Sequence, residues 1–222
     1  VRKKYRFSFN FKQLQGGVMM FNHFRIVLIS TIISTFAIAD VFMTELGDPN
    51  NSANSRFIEL YNNGDSDVDL STYQIRRYTN ASTSFSGGSV KALDGIIAAG
   101  GFKILCKSSS DFNATFAGVA VCDQQISGGA TDSNGDDKIE IIDADGNTID
   151  IYGIPGADVE NVASGTSNFE DGRAERVSTV TSGNSSFDVT EWSISNDQSA
   201  SDGPINAPEG FDPGSWVGAN TG

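Results

Sequence analysis

The chain has a single histidine, His23, and it lies near the start. Hydrolases with Ser-His-Asp or Cys-His centres need an imidazole, and most zinc sites use one. Those chemistries are excluded for any mature chain that begins beyond residue 23. Cysteine occurs only twice, as Cys106 and Cys122. Apart from one apolar stretch near the start, no long segment repeats its hydrophobic residues at the helical period, and no internal repeat is found. Cations are scarce too. Of the fifteen Lys and Arg, six precede Asp40, where there is no acid. The nine that remain face 28 Asp and Glu, so a chain starting at Asp40 carries a formal charge of −19. Phosphate backbones and anionic membranes are held by clustered Lys and Arg. Nucleic acid is therefore not the expected partner.

The leader is the exception to this acidity. Residues 20–39 read as a signal peptide, with Arg25 in its first part and an apolar stretch from Ile26 to Ala39. That stretch is 14 residues long, short of the roughly 20 a helix needs to span a bilayer. Ala37-Ile38-Ala39 fits the small-x-small cleavage rule, leaving Asp40 as the first mature residue. An uncleaved anchor is the alternative. Residues 1–18 are basic and aromatic, and read as upstream sequence ahead of Met19-Met20 or as an extension of the leader.

What the mature chain does have is turns. Glycine is abundant at 24 residues, and Ser, Asn and Asp cluster between short apolar runs. The clearest pattern spans Lys138 to Tyr152. Lys138 and Glu140 alternate with Ile139 and Ile141, a turn follows at Asp145-Gly146-Asn147, and Ile149 and Ile151 then alternate with Asp150 and Tyr152. Period two on both sides of an Asp-Gly turn marks a hairpin. Further strands are expected at 41–47, 56–62, 73–78, 90–97, 102–106, 119–122, 174–177 and 191–194. In the second, Ile58 and Leu60 are expected to face in, with Glu59 and Tyr61 facing out. One helical turn is expected at 110–116, capped by Ser110 or Asp111. Many short strands with turn signals between them define an all-β sandwich or barrel over residues 40–194. Residues 195–222 read as a loop-rich extension anchored by Phe211 and Trp216.

Seven stretches carry a family resemblance. They are FIELYN at 57–62, DLSTYQIRRYTN at 69–80, GIIAAGGFKILC at 95–106, SNGDDKIEIIDADGNTIDIYG at 133–153, EDGRAERV at 170–177, EWSI at 191–194 and FDPGSWVG at 211–218. In order and spacing they resemble the lamin tail domain family, most closely its microbial secreted version. The resemblance implies an immunoglobulin-like β-sandwich with no shared catalytic centre. It also implies a binding module, in the nucleus on a filament protein and in microbes often joined to secreted nucleases or surface proteins. No coiled-coil heptads precede the domain here, so the chain is not itself a lamin.

Several residue sets are candidates for chemistry. In an exported chain, Cys106 and Cys122 read as a disulfide; two buried thiols are the alternative. Asp132, Asn134, Asp136 and Asp137 place oxygen ligands at calcium-loop spacing, but Asp143 stands where an EF-hand has its bidentate Glu. A turn whose side chains cap backbone donors is the competing reading. Glu45, Glu59, Glu140, Glu175 and Glu191 are the carboxylates from which a glycan hydrolase would draw its pair. Tyr61, Tyr78 and Tyr152 are candidate contacts for sugar or protein. Arg76, Arg77, Arg173 and Arg176 read as ion-pair partners for the surrounding acids. Asn80, Asn113 and Asn184 each begin a glycosylation sequon.

The sequence thus describes a secreted or surface-associated, non-catalytic binding or adhesion module. Its expected partner is a protein or glycan at the cell surface, and its mature chain has no membrane span. An accessory module of a larger secreted nuclease or hydrolase is the second reading, and a two-carboxylate glycan hydrolase the third. If the leader is read correctly, Edman sequencing of the exported product begins at Asp40; any other first residue rejects that cleavage site.

Overall fold

The computed structural model describes residues 41–159, 166–198 and 203–219. The leader and the Ala39–Asp40 junction lie outside the described residues. Alternating apolar residues become twelve strands: β1 (Val41–Gly47), β2 (Phe57–Asn62), β3 (Val68–Asp69), β4 (Gln74–Tyr78), β5 (Val90–Ala92), β6 (Ile96–Ile97), β7 (Phe102–Cys106), β8 (Gln124–Gln125), β9 (Lys138–Ile142), β10 (Thr148–Tyr152), β11 (Arg173–Arg176) and β12 (Trp192–Ser195). One helix, α1 (Ser109–Thr115), sits between β7 and β8.

The strands form a six-stranded sheet in the order β12-β11-β1-β2-β7-β8 and a four-stranded sheet in the order β10-β9-β4-β5. β3 and β6 pair apart from both. Every pairing is antiparallel except β7 with β8. Between the two large sheets lies the main core. Met43, Leu46, Ile58, Leu60 and Leu105 come to it from one side, and Ile75, Ile139, Ile141 and Tyr152 from the other. This is an all-β sandwich of immunoglobulin-like type.

The expected hairpin is β9–β10, but its second strand faces the other way. A register shift between Thr148 and Asp150 inserts an extra residue, and such a bulge reverses the alternation beyond it. Tyr152 therefore packs in the main core, and Asp150 is fully buried. The run at 90–97 is two strands, not one. Gly95 takes a left-handed φ of 69°, and the chain crosses from β5 beside β4 to β6 beside β3. Residues 119–122 form no strand. Instead Cys122 is bonded to Cys106 across 16 residues, and β8 pairs two residues further on. The cap of α1 is Ser108, whose side chain accepts from the Asp111 N–H. It precedes both expected caps because the chain leaves β7 extended as far as Ser108.

At one end of the sandwich, Arg176 is fully buried. Its Nη2 donates to both Asp150 oxygens at 2.6 Å, its Nη1 to Glu191 Oε2 at 2.5 Å and its Nε to the Met43 carbonyl at 3.1 Å. The guanidinium lies 4.1 Å from the centre of the Trp192 ring. Asp150 also accepts the Met43 N–H at 2.9 Å, which is freed by a second register shift between Met43 and Glu45. One ion pair thus satisfies backbone and charge across β1, β10 and β11, with the Trp192 ring of β12 stacked against it. Arg176→Leu leaves Asp150 buried without its partner, and urea unfolding is expected to show a loss of about 3–5 kcal/mol. An unchanged midpoint would show that the pair does not hold the sheets together.

Candidate functional site: a carboxylate row beneath the C-terminal segment

Over β1, β2 and β7 the outer face of the six-stranded sheet is not wet. Glu59 and Tyr61, expected to point to solvent, are both fully buried. They do lie opposite Ile58 and Leu60, but a second layer covers them. That layer is α1 together with residues 203–219. Phe211 and Ala207 pack with Phe57, Ile104, Phe112 and Phe116, while Trp216 packs with Phe42 and Tyr61. Trp216 Nε1 also donates to the Arg176 carbonyl at 2.6 Å. Gly47 makes room for this packing: a Cβ there would lie 2.3 Å from the Phe57 ring.

Between the two aromatic groups runs a row of acids. Strand register sets Glu45 opposite Glu175 on β11 and opposite Glu59 on β2. Three glutamates from neighbouring strands therefore share one face, and Asp212 joins them from above. The bulge between Met43 and Glu45 brings Thr44 to the same side. Thr44 Oγ1 donates to Glu59 Oε1 at 2.6 Å, and the Gly214 N–H donates to Glu59 Oε2 at 2.5 Å. Asp212-Pro213-Gly214-Ser215 is a turn closed by Ser215 N–H on the Asp212 carbonyl. Gly214 supplies its required positive φ of 87°.

Arg173 is the one cation of this row among the described residues. Its Nη2 lies 2.7 Å from Glu175 Oε2 and 2.6 Å from Asp212 Oδ1, and its Nε is 3.1 Å from Glu45 Oε1. The last approach is poorly aligned, and neither Glu45 oxygen accepts a hydrogen bond. One guanidinium cannot neutralise all four acids, of which Glu45 and Glu59 are dry while Glu175 and Asp212 keep some contact with water. Burial accordingly pushes the Glu59 carboxyl up to about 8, against the hydrogen bonds from Thr44 and Gly214 and with repulsion from Asp212. Burial also raises Glu45 well above the usual carboxylate range, against the pull of Arg173. Glu175 is raised for the same reason.

The other expected acids lie elsewhere. Glu140 is on the four-stranded sheet, accepting from Arg76 Nε at 2.6 Å, Tyr78 Oη at 2.7 Å and Thr148 Oγ1 at 2.5 Å. Burial alone would raise it, but these donors outweigh burial and hold it below its ordinary range. Glu191 pairs with Arg176. No substrate reaches Glu45 or Glu59, which are 1% and 0% exposed. A cavity of about 700 Å3 does open, between Ile154, Val159, Phe187 and Val189, but no member of the row lines it.

Side chains of the candidate calcium loop meet protein partners, although Asp136 Oδ1 accepts no hydrogen bond. Asp132 faces Lys107 at 3.7 Å, Asp136 accepts from Asn80 Nδ2 at 2.8 Å, and Asp137 accepts from the Asn80 N–H at 2.9 Å and from Arg77 at 3.2 Å. Asn134 is half-buried beside them. Among the described residues, no three acidic, cysteine or histidine side chains gather as a metal requires. Tyr61, Tyr78 and Tyr152 are buried, and among the described residues the exposed aromatic is Phe85, at 39%. Phe85 stacks against the Arg76 guanidinium at 4.4 Å and edge-on to Tyr78. All four expected arginines make ion pairs.

These features define an all-β, immunoglobulin-like module stapled by one disulfide. A family model described as Lamin Tail Domain matches residues 34–156, and the chain belongs to that family. No curated protein matches the chain significantly. Glu45 and Glu59 fall within the matched span, whereas Arg173, Glu175 and Asp212 lie beyond it.

Three glutamates with raised pKa values, Glu45 and Glu59 buried and Glu175 half-buried, fix the sign of the pH dependence. Each holds its proton more tightly in the folded chain than in the unfolded one. Folding therefore takes up protons, and stability falls as pH rises through the window between the two values. For Glu59 the window runs from 4.5 to about 8. Urea midpoints are expected to be higher at pH 5 than at pH 8, with Glu59 contributing up to about 1.4 kcal/mol per pH unit. Glu59→Gln has no proton to lose and should flatten this slope. A midpoint that rises between pH 5 and pH 8 would contradict the assignment.

Proposed function

We propose that the mature chain is an exported, non-catalytic lamin-tail-type module that binds a protein or glycan at or outside the cell surface. The observation that carries this reading is the Cys106–Cys122 disulfide, which ties the end of β7 to the loop after α1. Such bonds persist where the surroundings are oxidising and are rare in reducing compartments. The leader at 20–39, with its Ala39–Asp40 junction, supports the same placement. So does the acidity of the chain beyond it, which favours solubility and disfavours polyanions.

Binding rather than turnover is favoured by the state of the acids. Glu45 and Glu59 are sealed under Phe211, Gly214 and Trp216, while Glu140 and Glu191 are taken up in ion pairs. Exposed apolar side chains supply contact surface instead. Val119 and Val121 stand 56% and 65% exposed on the disulfide loop, and Val217 66% exposed on the C-terminal segment.

Expression with the native leader tests the reading. The chain is expected in the medium or on the cell surface, with neither cysteine alkylated before reduction. The purified 40–222 chain should then bind the source's own surface, or a glycan array, saturably. Retention inside the cell with two alkylated thiols would overturn the proposal.

A further inference from the structure

The carboxylate row lies directly under the C-terminal segment, and the segment is fastened to it. Gly214 donates its N–H to Glu59, and Asp212 shares Arg173 with Glu45 and Glu175. On either side the fastening is apolar: Trp216 on Phe42 and Tyr61, and Phe211 on Phe57 and Phe116. The cover therefore has two apolar anchors and an ionisable middle.

The geometry points to residues 207–219 as a pH-sensitive cover, closed over the outer face of the six-stranded sheet in mildly acidic surroundings and loosened as pH rises. The groups that face the middle of the cover are few. β1 contributes Glu45 and the Thr44 hydroxyl, β2 Glu59, and β11 Glu175 and Arg173, while the cover itself contributes Asp212. β7 presents Ile104 there, and α1 presents Phe112 and Phe116, none of which titrates. With all four acids ionised, this layer would hold four negative charges against one positive charge. Protonated, Glu59 still accepts the Gly214 N–H and can turn its own O–H toward the Thr44 hydroxyl, with no charge left on its carboxyl. Loss of protons sets Glu45, Glu59 and Glu175 against one another and against Asp212, and lifting the cover admits water to all of them.

The alternative is that the whole sandwich loosens at once. The arrangement argues against that. On the other side of the same sheet, buried Asp150 and half-buried Glu191 are already matched by Arg176. The apolar core between the sheets includes none of the row. Opening linked to the release of one proton becomes up to about tenfold more favourable per pH unit within the titration window.

Hydrogen exchange read by mass spectrometry, on the disulfide-intact 40–222 chain, tests the proposal. After correction for the intrinsic pH dependence of exchange, protection over 207–219 is expected to fall at least about tenfold between pH 5 and pH 8. Peptides covering β4 and β9 should keep theirs. Glu59→Gln reproduces the shape of the protonated acid and should hold the segment closed across the range. Asp212→Asn, from the exposed side of the layer, should weaken the pH dependence and serves if the first variant does not fold. The proposal is overturned by protection that is flat with pH in the wild type. Equal loss in β4 and β9, or an unchanged slope in a folded variant, also overturns it.

Discussion

Glu59 sits on a strand with no wet side. β2 lies near the middle of the six-stranded sheet, with the main core on one face and the C-terminal segment on the other. An antiparallel sheet ordinarily leaves one face to solvent, and alternate residues can then be charged without penalty. Here the alternation is kept but the solvent is gone. Much of the unusual chemistry of the domain follows from that. Acids written at outward positions become buried acids, and a buried acid must find a cation, find donors or keep its proton.

The protein uses all three solutions within a short distance. Asp150 finds a cation: Arg176 meets it with both oxygens engaged, and nearby backbone N–H groups complete its shell. Glu140 finds donors, and three of them outweigh burial. The row of Glu45, Glu59 and Glu175 has one shared arginine and too few donors, so its members keep their protons into a range where carboxylates are normally charged. The first two arrangements tie neighbouring strands together through charge and hydrogen bonds. The third lies under a segment attached by two aromatic anchors, and there burial outweighs the few donors.

Much of the sandwich was legible because its strands are written in period two and its turns in Gly, Asn and Asp. The reading failed where one inserted residue changed the face. The bulges at Met43–Glu45 and Thr148–Asp150 leave no composition signal, yet they decide that Thr44 joins Glu45 and that Tyr152 points inward. Glu45, Glu59 and Glu175 were each visible as single strand residues. That they form one row follows from register, set by the local pairing of β1 with β2 and by that of β1 with β11, whose strands lie more than 100 residues apart in the chain. Burial of the row was hidden for a further reason: it depends on FDPGSWVG, a stretch with no strand pattern. Its Asp-Pro-Gly turn, flanked by Phe211 and Trp216, was the available hint that the segment returns to the sheet.

A raised carboxyl pKa often marks a general acid, and Glu59 invites that reading. Its surroundings support a different cause. A general acid must reach the atom it protonates, whereas Glu59 is bonded to Thr44 and Gly214 of its own chain and has no exposed surface. Burial between the sheet and its cover, with Asp212 nearby, accounts for the raised value without any catalytic demand. Proton affinity here records how dry the site is. It therefore reports whether the C-terminal segment is seated, which is a property of the fold and not of a reaction.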